Sequence, residues 1–332
     1  MSMIEKHVFS KEIRERLRPL FTLNNWRGPL ELAGDYLCIA AAVYATYWSM
    51  WCYPLSLLVI GSRQRALASL LHESCHKTFM RNRALNDLFG RWLAGYPIFQ
   101  SHRAYVKSHV LDHHTFLGDA RRDPDYIHYI ESGLFDVRDR LDFVTRFIVK
   151  TILLLNAAGY LRYLLMNRLG EISRDKKELA QLVLTQAAIF AAFYVAVGPL
   201  GYVVFWIVPI ITTFQVIGWF SEISEHYPVI RTTRSTLTIT RNRFPVLIER
   251  AFVGMHGDNY HLVHHLLAGI PFWNLRRAHA ILMEDPAYAA ANRTLGGIFT
   301  APSGRISVMR SILDEIRVSA PLDAPVASRQ GA

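Results

Sequence analysis

A stretch of 43 residues without a charged side chain, from Leu179 to Ser221, constrains the fold of this chain most strongly. Because about 20 apolar residues span a bilayer as a helix, this stretch is long enough for two spans. Gly198, Pro199 and Gly201 interrupt it near its middle, and these residue types are typical of turns. The stretch therefore predicts a helical hairpin within a membrane.

A second charge-free run extends from Tyr36 to Ser62 and breaks between Trp51 and Pro54. Its second arm continues through Arg63 and Arg65, which places the arm's end near residue 71. The composition agrees with a membrane protein, since 51% of the residues are hydrophobic and 19% are charged, against about 25% charged residues in soluble domains. We therefore expect an all-α integral membrane protein with four spans in two hairpins, at approximately residues 33–50, 53–71, 179–197 and 201–221.

The distribution of Lys and Arg predicts the orientation of these spans. The chain has 37 such residues, and they lie before the first hairpin, around Arg63 and Arg65, between residues 77 and 177, or after residue 221. Basic loops are retained on the cytoplasmic side, so both termini and the long middle segment are expected there. The net charge of +10 then reflects membrane topology, and we expect no nucleic-acid partner. The expected location is the cell inner membrane.

The chain is expected to hold one large membrane domain, residues 33–320. Residues 1–32 interleave charged and apolar side chains, which is typical of an amphipathic segment on the cytoplasmic side. Residues 142–170 have the same character and predict helices lying in the membrane interface. Residues 321–332 are rich in Pro and Ala and are expected to form a disordered tail.

Histidines are the residues that indicate chemistry. Nine of the 14 histidines fall in four tight groups, whose sequences are HESCH, HVLDHH, SEISEH and HLVHH. On an α-helix His109 and His113 would face the same way, while the adjacent His114 would point about 100° away, so an HH pair could serve two centres. Nine imidazoles supply two metal ions with four or five nitrogens each. All four groups fall on the predicted cytoplasmic side, where a helical cap would hold this dimetal site.

Ligand type alone allows iron, copper, zinc or nickel, and the number of imidazoles favours redox chemistry over zinc hydrolysis. Carboxylates near the groups could accept an imidazole N–H and so fix the ring that binds the metal. We expect this orienting role for four residues: Glu73, Asp112, Glu222 and Asp258.

Four segments in this order resemble the membrane fatty acid desaturase superfamily over roughly residues 33–285. They are GSRQRALASLLHESCHKTF, HVLDHH followed by RRDPDY, SEISEH, and GDNYHLVHHLLAGIPFWNL. The resemblance implies a non-haem diiron centre held by three histidine boxes and one further histidine on the cytoplasmic face of a four-helix bundle. By that resemblance the metal ligands are His72, His76, His109, His113, His114, His226, His261, His264 and His265.

The function implied by the resemblance is oxygen-dependent desaturation of a fatty acyl chain bound to a lipid, to coenzyme A or to acyl carrier protein. Its cofactors would be two iron ions, with dioxygen as co-substrate. No HPGG haem-binding motif is present, so electrons are expected from a separate ferredoxin or cytochrome b5-like protein. Aromatic residues between the first two boxes are candidates for lining the acyl tunnel: Trp92, Tyr96, Phe99 and Tyr105.

Two alternatives remain open at the level of sequence. A diiron hydroxylase or ketolase acting on a carotenoid, an alkane or a specialised lipid would use the same histidine boxes. A histidine-rich membrane zinc hydrolase or metal carrier is disfavoured, because the predicted spans contain almost no ionisable residues that could line a transport path.

Overall fold

The computed structural model describes residues 4–169, 175–233 and 235–319. Within these ranges the chain is all-helical, and the extended pairing consists of two isolated bridges. The predicted disordered tail, residues 321–332, lies outside the described residues.

Seventeen α-helices follow one another along the described part of the chain. They are α1 (Lys11–Leu17), α2 (Arg27–Trp48), α3 (Tyr53–Cys75), α4 (Arg83–Phe89), α5 (His102–Tyr105), α6 (Pro124–Glu131), α7 (Arg140–Phe143), α8 (Lys150–Ile152), α9 (Ala157–Leu164), α10 (Lys176–Val197), α11 (Gln215–His226), α12 (Val229–Thr232), α13 (Leu247–Val253), α14 (His261–Leu266), α15 (Phe272–Leu282), α16 (Pro286–Asn292) and α17 (Val308–Ser319). Wider π-helical turns cover Gly90–Gly95, Val106–His113, Val144–Val149, Leu165–Leu169, Val203–Ile207 and Ile210–Phe214, and 3₁₀ turns cover Arg18–Phe21, Met50–Cys52, Tyr96–Ile98, Leu134–Asp136 and Met255–Tyr260.

The first apolar run forms an antiparallel pair of long helices, α2 and α3, of 22 and 23 residues. Both helices are longer than the predicted spans: α2 begins at Arg27 and α3 continues to Cys75. Charge within this pair is compensated internally, because the buried Asp35 carboxylate lies 3.3 Å from the Arg63 guanidinium. The Asp35 carboxylate also accepts a hydrogen bond from Nε2 of His256 at 2.7 Å. A paired, hydrogen-bonded carboxylate is far less costly to bury than an isolated one.

The second apolar run forms two helices that are long and apolar enough to cross a membrane: Lys176–Val197 and the continuous helical stretch Val203–Thr232. Their outer surface is apolar and is not covered by other residues that the structure describes, as Val195 illustrates with 85% exposure. An exposed apolar surface of this kind is typical of a lipid-facing helix. Two of the four predicted spans thus have the length and apolarity that a membrane crossing requires.

The helix α3 is central to the packing of the two helical pairs. Leu67, Leu70 and Leu71 on this helix are fully buried. Gly61 allows a very close approach to the second hairpin, because a Cβ atom there would lie 1.9 Å from Oγ1 of Thr213. This contact places the ends of α3 and α11 side by side, and both ends carry histidines of the four groups.

Candidate metal centre

The structure brings all nine clustered histidines together in two adjoining groups. In each group the ring nitrogens lie within 4.8 Å of one another, close enough to hold one metal ion. The first group contains His72, His76, His109, His114 and His264, and the second contains His113, His226, His261 and His265. Five and four imidazoles are enough to bind two separate metal ions, each mainly through nitrogen.

The second histidine group of the sequence lies on a π-helical segment, Val106–His113, rather than on an α-helix. The backbone N–H of His114 donates to the carbonyl of His109 at 3.0 Å, which is the five-residue spacing of a π-helix. Consequently His109 shares a metal group with His114, and His113 belongs to the other group. The rings of His109 and His113 do lie side by side, stacked at 5.2 Å, as the α-helical spacing predicts. The two larger groups nevertheless hold them separately, and the HH pair divides between those two groups as expected.

The remaining histidines are placed by ordinary α-helical spacing. His261 and His265, one turn apart on α14, enter the second group, while His264 turns toward the first. His226 is the last residue of α11, and its Nε2 lies 3.0 Å from Nε2 of His261. Nε2 of His264 lies 3.1 Å from Nε2 of His114. Ring nitrogens that face one another at this distance are arranged for a shared ligand.

The surroundings of the centre favour the neutral form of several of its imidazoles. Burial lowers the pKa of His109, His114 and His264 well below its usual range, and the neighbouring imidazoles lower it further. Neutral imidazole is the form that binds metal. In addition, Nε2 of His72 and Nε2 of His76 are buried without a hydrogen-bond partner among the described residues. The donor set and these unsatisfied nitrogens therefore fit a bound metal pair.

The four carboxylates expected to orient the imidazoles lie in different surroundings. Glu73 has an oxygen 3.5 Å from Nδ1 of His72, and it also accepts from the Thr78 hydroxyl at 2.7 Å. Glu222 accepts a hydrogen bond from the Tyr160 hydroxyl at 2.6 Å. Asp112 forms no hydrogen bond to a ring nitrogen within the described part of the chain.

Asp258, the fourth of these carboxylates, belongs to a buried network of charges beneath the second group. It accepts from Nη2 of Arg243 at 2.6 Å and lies 3.6 Å from the Arg65 guanidinium. Burial would raise the pKa of this carboxyl, but the two guanidiniums hold it below its usual range. Arg243 also contacts Glu225 at 2.9 Å, and Glu225 lies 3.6 Å from Nε2 of His261. Asp258 is thus linked to His261 through Arg243 and Glu225, and its orienting role stays a prediction.

Sequence reasoning did not identify Asp123 as part of the site, because the RRDPDY turn is typical of a solvated charged loop. Its side chain is fully buried and accepts from Nδ1 of His113 at 2.8 Å. The other carboxylate oxygen accepts from the backbone N–H of Gly118 at 2.9 Å. The Asp123 carboxylate therefore fixes the ring of His113, and the signal available in the sequence was its position nine residues after the end of the HVLDHH group.

The four aromatic candidates for a tunnel do not share one environment. Tyr105 lies at the centre, with its ring 5.3 Å from the ring of His109. Tyr96 is buried and its hydroxyl donates to Gln181 of α10 at 3.1 Å, with Trp92 packed edge-on against it. Phe99 packs in the same cluster. The tunnel role of these residues stays a prediction.

Comparison with known proteins identifies the class. The family model "Fatty acid desaturase" matches residues 48–295, and this chain belongs to that family. The match includes all nine clustered histidines, so the chain is an oxidoreductase of the desaturase type.

Individual relatives carry desaturase names as well. The dihydrorhizobitoxine desaturase of Bradyrhizobium elkanii is 39% identical over 95% of this chain and 92% of its own length. The sn-1 oleoyl-lipid 12-desaturase of Synechocystis sp. is 25% identical over 72% of this chain and 70% of its own length. The chloroplastic omega-6 fatty acid desaturase of Arabidopsis thaliana is 25% identical over 70% of this chain and 53% of its own length.

Proposed function

We propose that the chain is an oxygen-dependent desaturase whose nine clustered histidines hold two iron ions. The observation that carries this proposal is the division of nine closely packed, buried or half-buried imidazoles into groups of five and four. The proposed ligands of one ion are His72, His76, His109, His114 and His264, and those of the other are His113, His226, His261 and His265. When bound, the iron pair would supply oxygen activation for removing hydrogen from an unactivated C–H bond.

The protein's own residues would orient this centre and keep water from it. Asp123 accepts the Nδ1 proton of His113, which leaves Nε2 of that ring for the metal. Glu225 and Asp258, held by Arg243, would position His261 in the same way through charge. Glu73 is placed to orient His72. Fixed rings matter because a small displacement of the oxidant relative to the substrate would change the product.

We further propose the four-span topology, with α2, α3, α10 and the Val203–Thr232 helix in the inner membrane. The histidine centre and both termini would lie on the cytoplasmic side, where the basic residues concentrate. Residues 1–32 would then form a cytoplasmic segment, residues 33–320 the membrane domain and residues 321–332 a tail. The cytoplasmic residues after α3 would form the cap over the metal centre.

A separate, acidic electron carrier of the ferredoxin or cytochrome b5-like class would dock on this basic cytoplasmic surface. The proposed substrate is an acyl chain carried by a lipid, coenzyme A or acyl carrier protein, because three relatives are named as oleoyl-lipid or fatty acid desaturases. A second candidate substrate is dihydrorhizobitoxine, after which the Bradyrhizobium relative is named. The 39% identity to that relative over 95% of this chain favours this candidate.

The test is mass spectrometry of lipids, fatty acids and polar metabolites from a host that expresses the chain. Desaturation predicts a new species lighter by two hydrogen atoms, and that species should be absent with His264→Ala or His113→Ala. His279→Asn is the matched control, since His279 lies on α15 outside both metal groups. A product heavier by one oxygen would instead assign hydroxylation, and turnover retained in both histidine variants would overturn the diiron centre.

A further inference from the structure

A cavity of about 790 Å³ lies beside the metal centre, lined by residues of α6, α8, α9 and α11. This volume lies within the range of small-molecule binding sites, roughly 300–1,000 Å³. Its wall combines polar and charged side chains with aromatic ones, among them Phe147, Tyr160, Tyr163 and Trp219. It therefore has the size and the mixed lining of a site for an amphiphilic ligand.

Two hydroxyl–carboxylate pairs connect this cavity with the metal centre. The Tyr160 hydroxyl donates to Glu222 at 2.6 Å, and the Tyr163 hydroxyl donates to Asp125. Both tyrosines line the large cavity, while both carboxylates line a small cavity of about 60 Å³ that includes His72, His109, His261 and His264. These two hydrogen-bonded pairs therefore form the wall between the large cavity and the histidine-lined one.

A buried amide without a partner lines this cavity. Gln215 is 3% exposed, and neither its Nε2 nor its Oε1 has a hydrogen-bond partner among the described residues. Nε2 of His128, also on the wall, is buried and unpartnered in the same part of the chain. The His128 ring stacks on Tyr163 at 4.0 Å, which fixes its position. Because buried polar groups in folded proteins are nearly always hydrogen-bonded, these two side chains point to a ligand that satisfies them.

The cavity lining carries a net positive charge. Arg146, Lys150 and Arg162 line the cavity together with a single carboxylate, Glu131. Arg146 is partly neutralised by Asp142 at 3.4 Å, whereas Lys150 and Arg162 are exposed at the surface. Three cations against one lining carboxylate favour an acidic group on the ligand.

We propose that this cavity is the substrate site and that the substrate is an amphiphile with an acidic head and a hydrogen-bonding group, such as an amide, within its chain. The group in the chain would meet Gln215 and His128, and the head would meet Lys150 and Arg162. This inference rests on the proposed function, because the bound molecule is taken to be the one that is desaturated. A plain hydrocarbon chain would leave the Gln215 amide unsatisfied, and so would bind more weakly.

Binding to the metal-loaded protein in detergent tests the proposal, with calorimetric titration of three acids of matched chain length. Heptadecanoate has a plain chain, N-tetradecanoylglycine has an amide near the head, and 8-octanamidooctanoate has an amide at mid-chain. We expect at least one amide acid to bind roughly tenfold more tightly than heptadecanoate. Equal or weaker binding of both amide acids would overturn the proposed hydrogen-bonding site.

The variant Gln215→Leu removes the amide and keeps a side chain of similar size. It should abolish the preference for the amide acid and leave heptadecanoate binding unchanged or tighter. His128→Phe, which preserves the stacking on Tyr163, should weaken only the amide acid. Thr185→Val is the control, since Thr185 is a polar residue of α10 outside the cavity lining. A preference that survives both cavity variants would contradict the assignment of these residues.

Methyl esters of the same acids test whether the basic lining residues bind an acidic head. Palmitoyl-lysophosphatidylglycerol micelles serve as a phosphate source in the same test. The double variant Lys150→Gln with Arg162→Gln should weaken the free acids or the phospholipid and leave the esters unchanged. The anion whose binding weakens in the double variant identifies the head group as a carboxylate or a phosphate. Unchanged binding of both anions would overturn the proposal of an acidic head. Because binding is measured without turnover, a failure here is distinguishable from a failure of the proposed desaturation, which the mass spectrometry reports.

Discussion

The contact between Asp123 and His113 is the clearest case of a single residue that orders the metal centre. Asp123 is fully buried, and its carboxylate also caps the start of α6 by accepting from the backbone N–H of Tyr126 at 3.3 Å. The Asp123 side chain thus links the loop that follows the HVLDHH group to the ring of His113. A residue that orients a ligand in this way changes metal affinity without being a ligand itself.

Asp123→Asn should therefore lower iron binding by about 10- to 100-fold, since an amide is a weaker acceptor for the Nδ1 proton of His113. The measurement is iron content per protein and iron titration of the purified chain. Asp119→Asn is a matched control in the same loop, because Asp119 accepts from Arg122 and Arg121 rather than from an imidazole. An unchanged iron affinity in Asp123→Asn would contradict the orienting role.

At the scale of elements, close packing of α3 against the second hairpin sets the position of two histidines. Gly61 of α3 lies against Thr213 and leaves no room for a Cβ atom. A Cβ atom added there would also lie 2.9 Å from the backbone nitrogen of Phe214. His72 and His76 follow on the same helix and at its end. A shift of α3 would therefore move both rings away from the other members of their group.

Gly61→Ala should destabilise the fold by about 1–3 kcal/mol, because the added methyl group must displace packed neighbours. Gly34→Ala is the matched control on α2, where nothing lies within 4 Å of the added atom. Gly34→Ala should be neutral or stabilising by a fraction of a kcal/mol, since Ala has the higher helix propensity. Thermal unfolding in detergent, followed by circular dichroism, compares the two variants; equal Tm values would contradict the close packing.

At the scale of the whole molecule, burial of many neutral imidazoles couples stability and metal binding to pH. Burial lowers the pKa of His279 to about 4. Burial also lowers the pKa of His109, His261 and His265 well below the usual range of histidine. In the unfolded chain the same groups take up protons near their ordinary pKa of about 6.5. The unfolded state therefore binds more protons below that pH, and acid favours unfolding.

We expect Tm to fall progressively as the pH is lowered from about 7 to 5, with release of iron over the same range, because protons compete with the metal for the imidazoles. Removal of iron with a chelator at pH 7 should lower Tm as well. Parallel measurement of Tm and bound iron against pH checks both statements. A Tm that is independent of pH between 7 and 5 would contradict the burial of neutral imidazoles.

The proposed membrane topology places Cys52, in the turn between α2 and α3, on the side opposite the histidines. This cysteine is free and partly exposed. A membrane-impermeant maleimide should label it in intact spheroplasts, and Cys52→Ser should remove that labelling. Asp314→Cys in the Cys52→Ser background should react only after lysis, since α17 would be cytoplasmic. Labelling of Asp314→Cys in intact spheroplasts would contradict this orientation.

The sequence by itself determined the helical character, the two apolar runs and the nine histidines that gather at one centre. These features are local: charge-free length and histidine spacing are visible in consecutive residues. Only the tertiary structure decided that His114 rather than His113 joins His109, because a π-helical turn changes which side chains share a face. It also decided that Asp123 is buried and that Gln215 lines a cavity, since both depend on contacts between segments distant in the chain. Such contacts leave no periodic trace in the sequence, and that is why these roles could not be predicted from it.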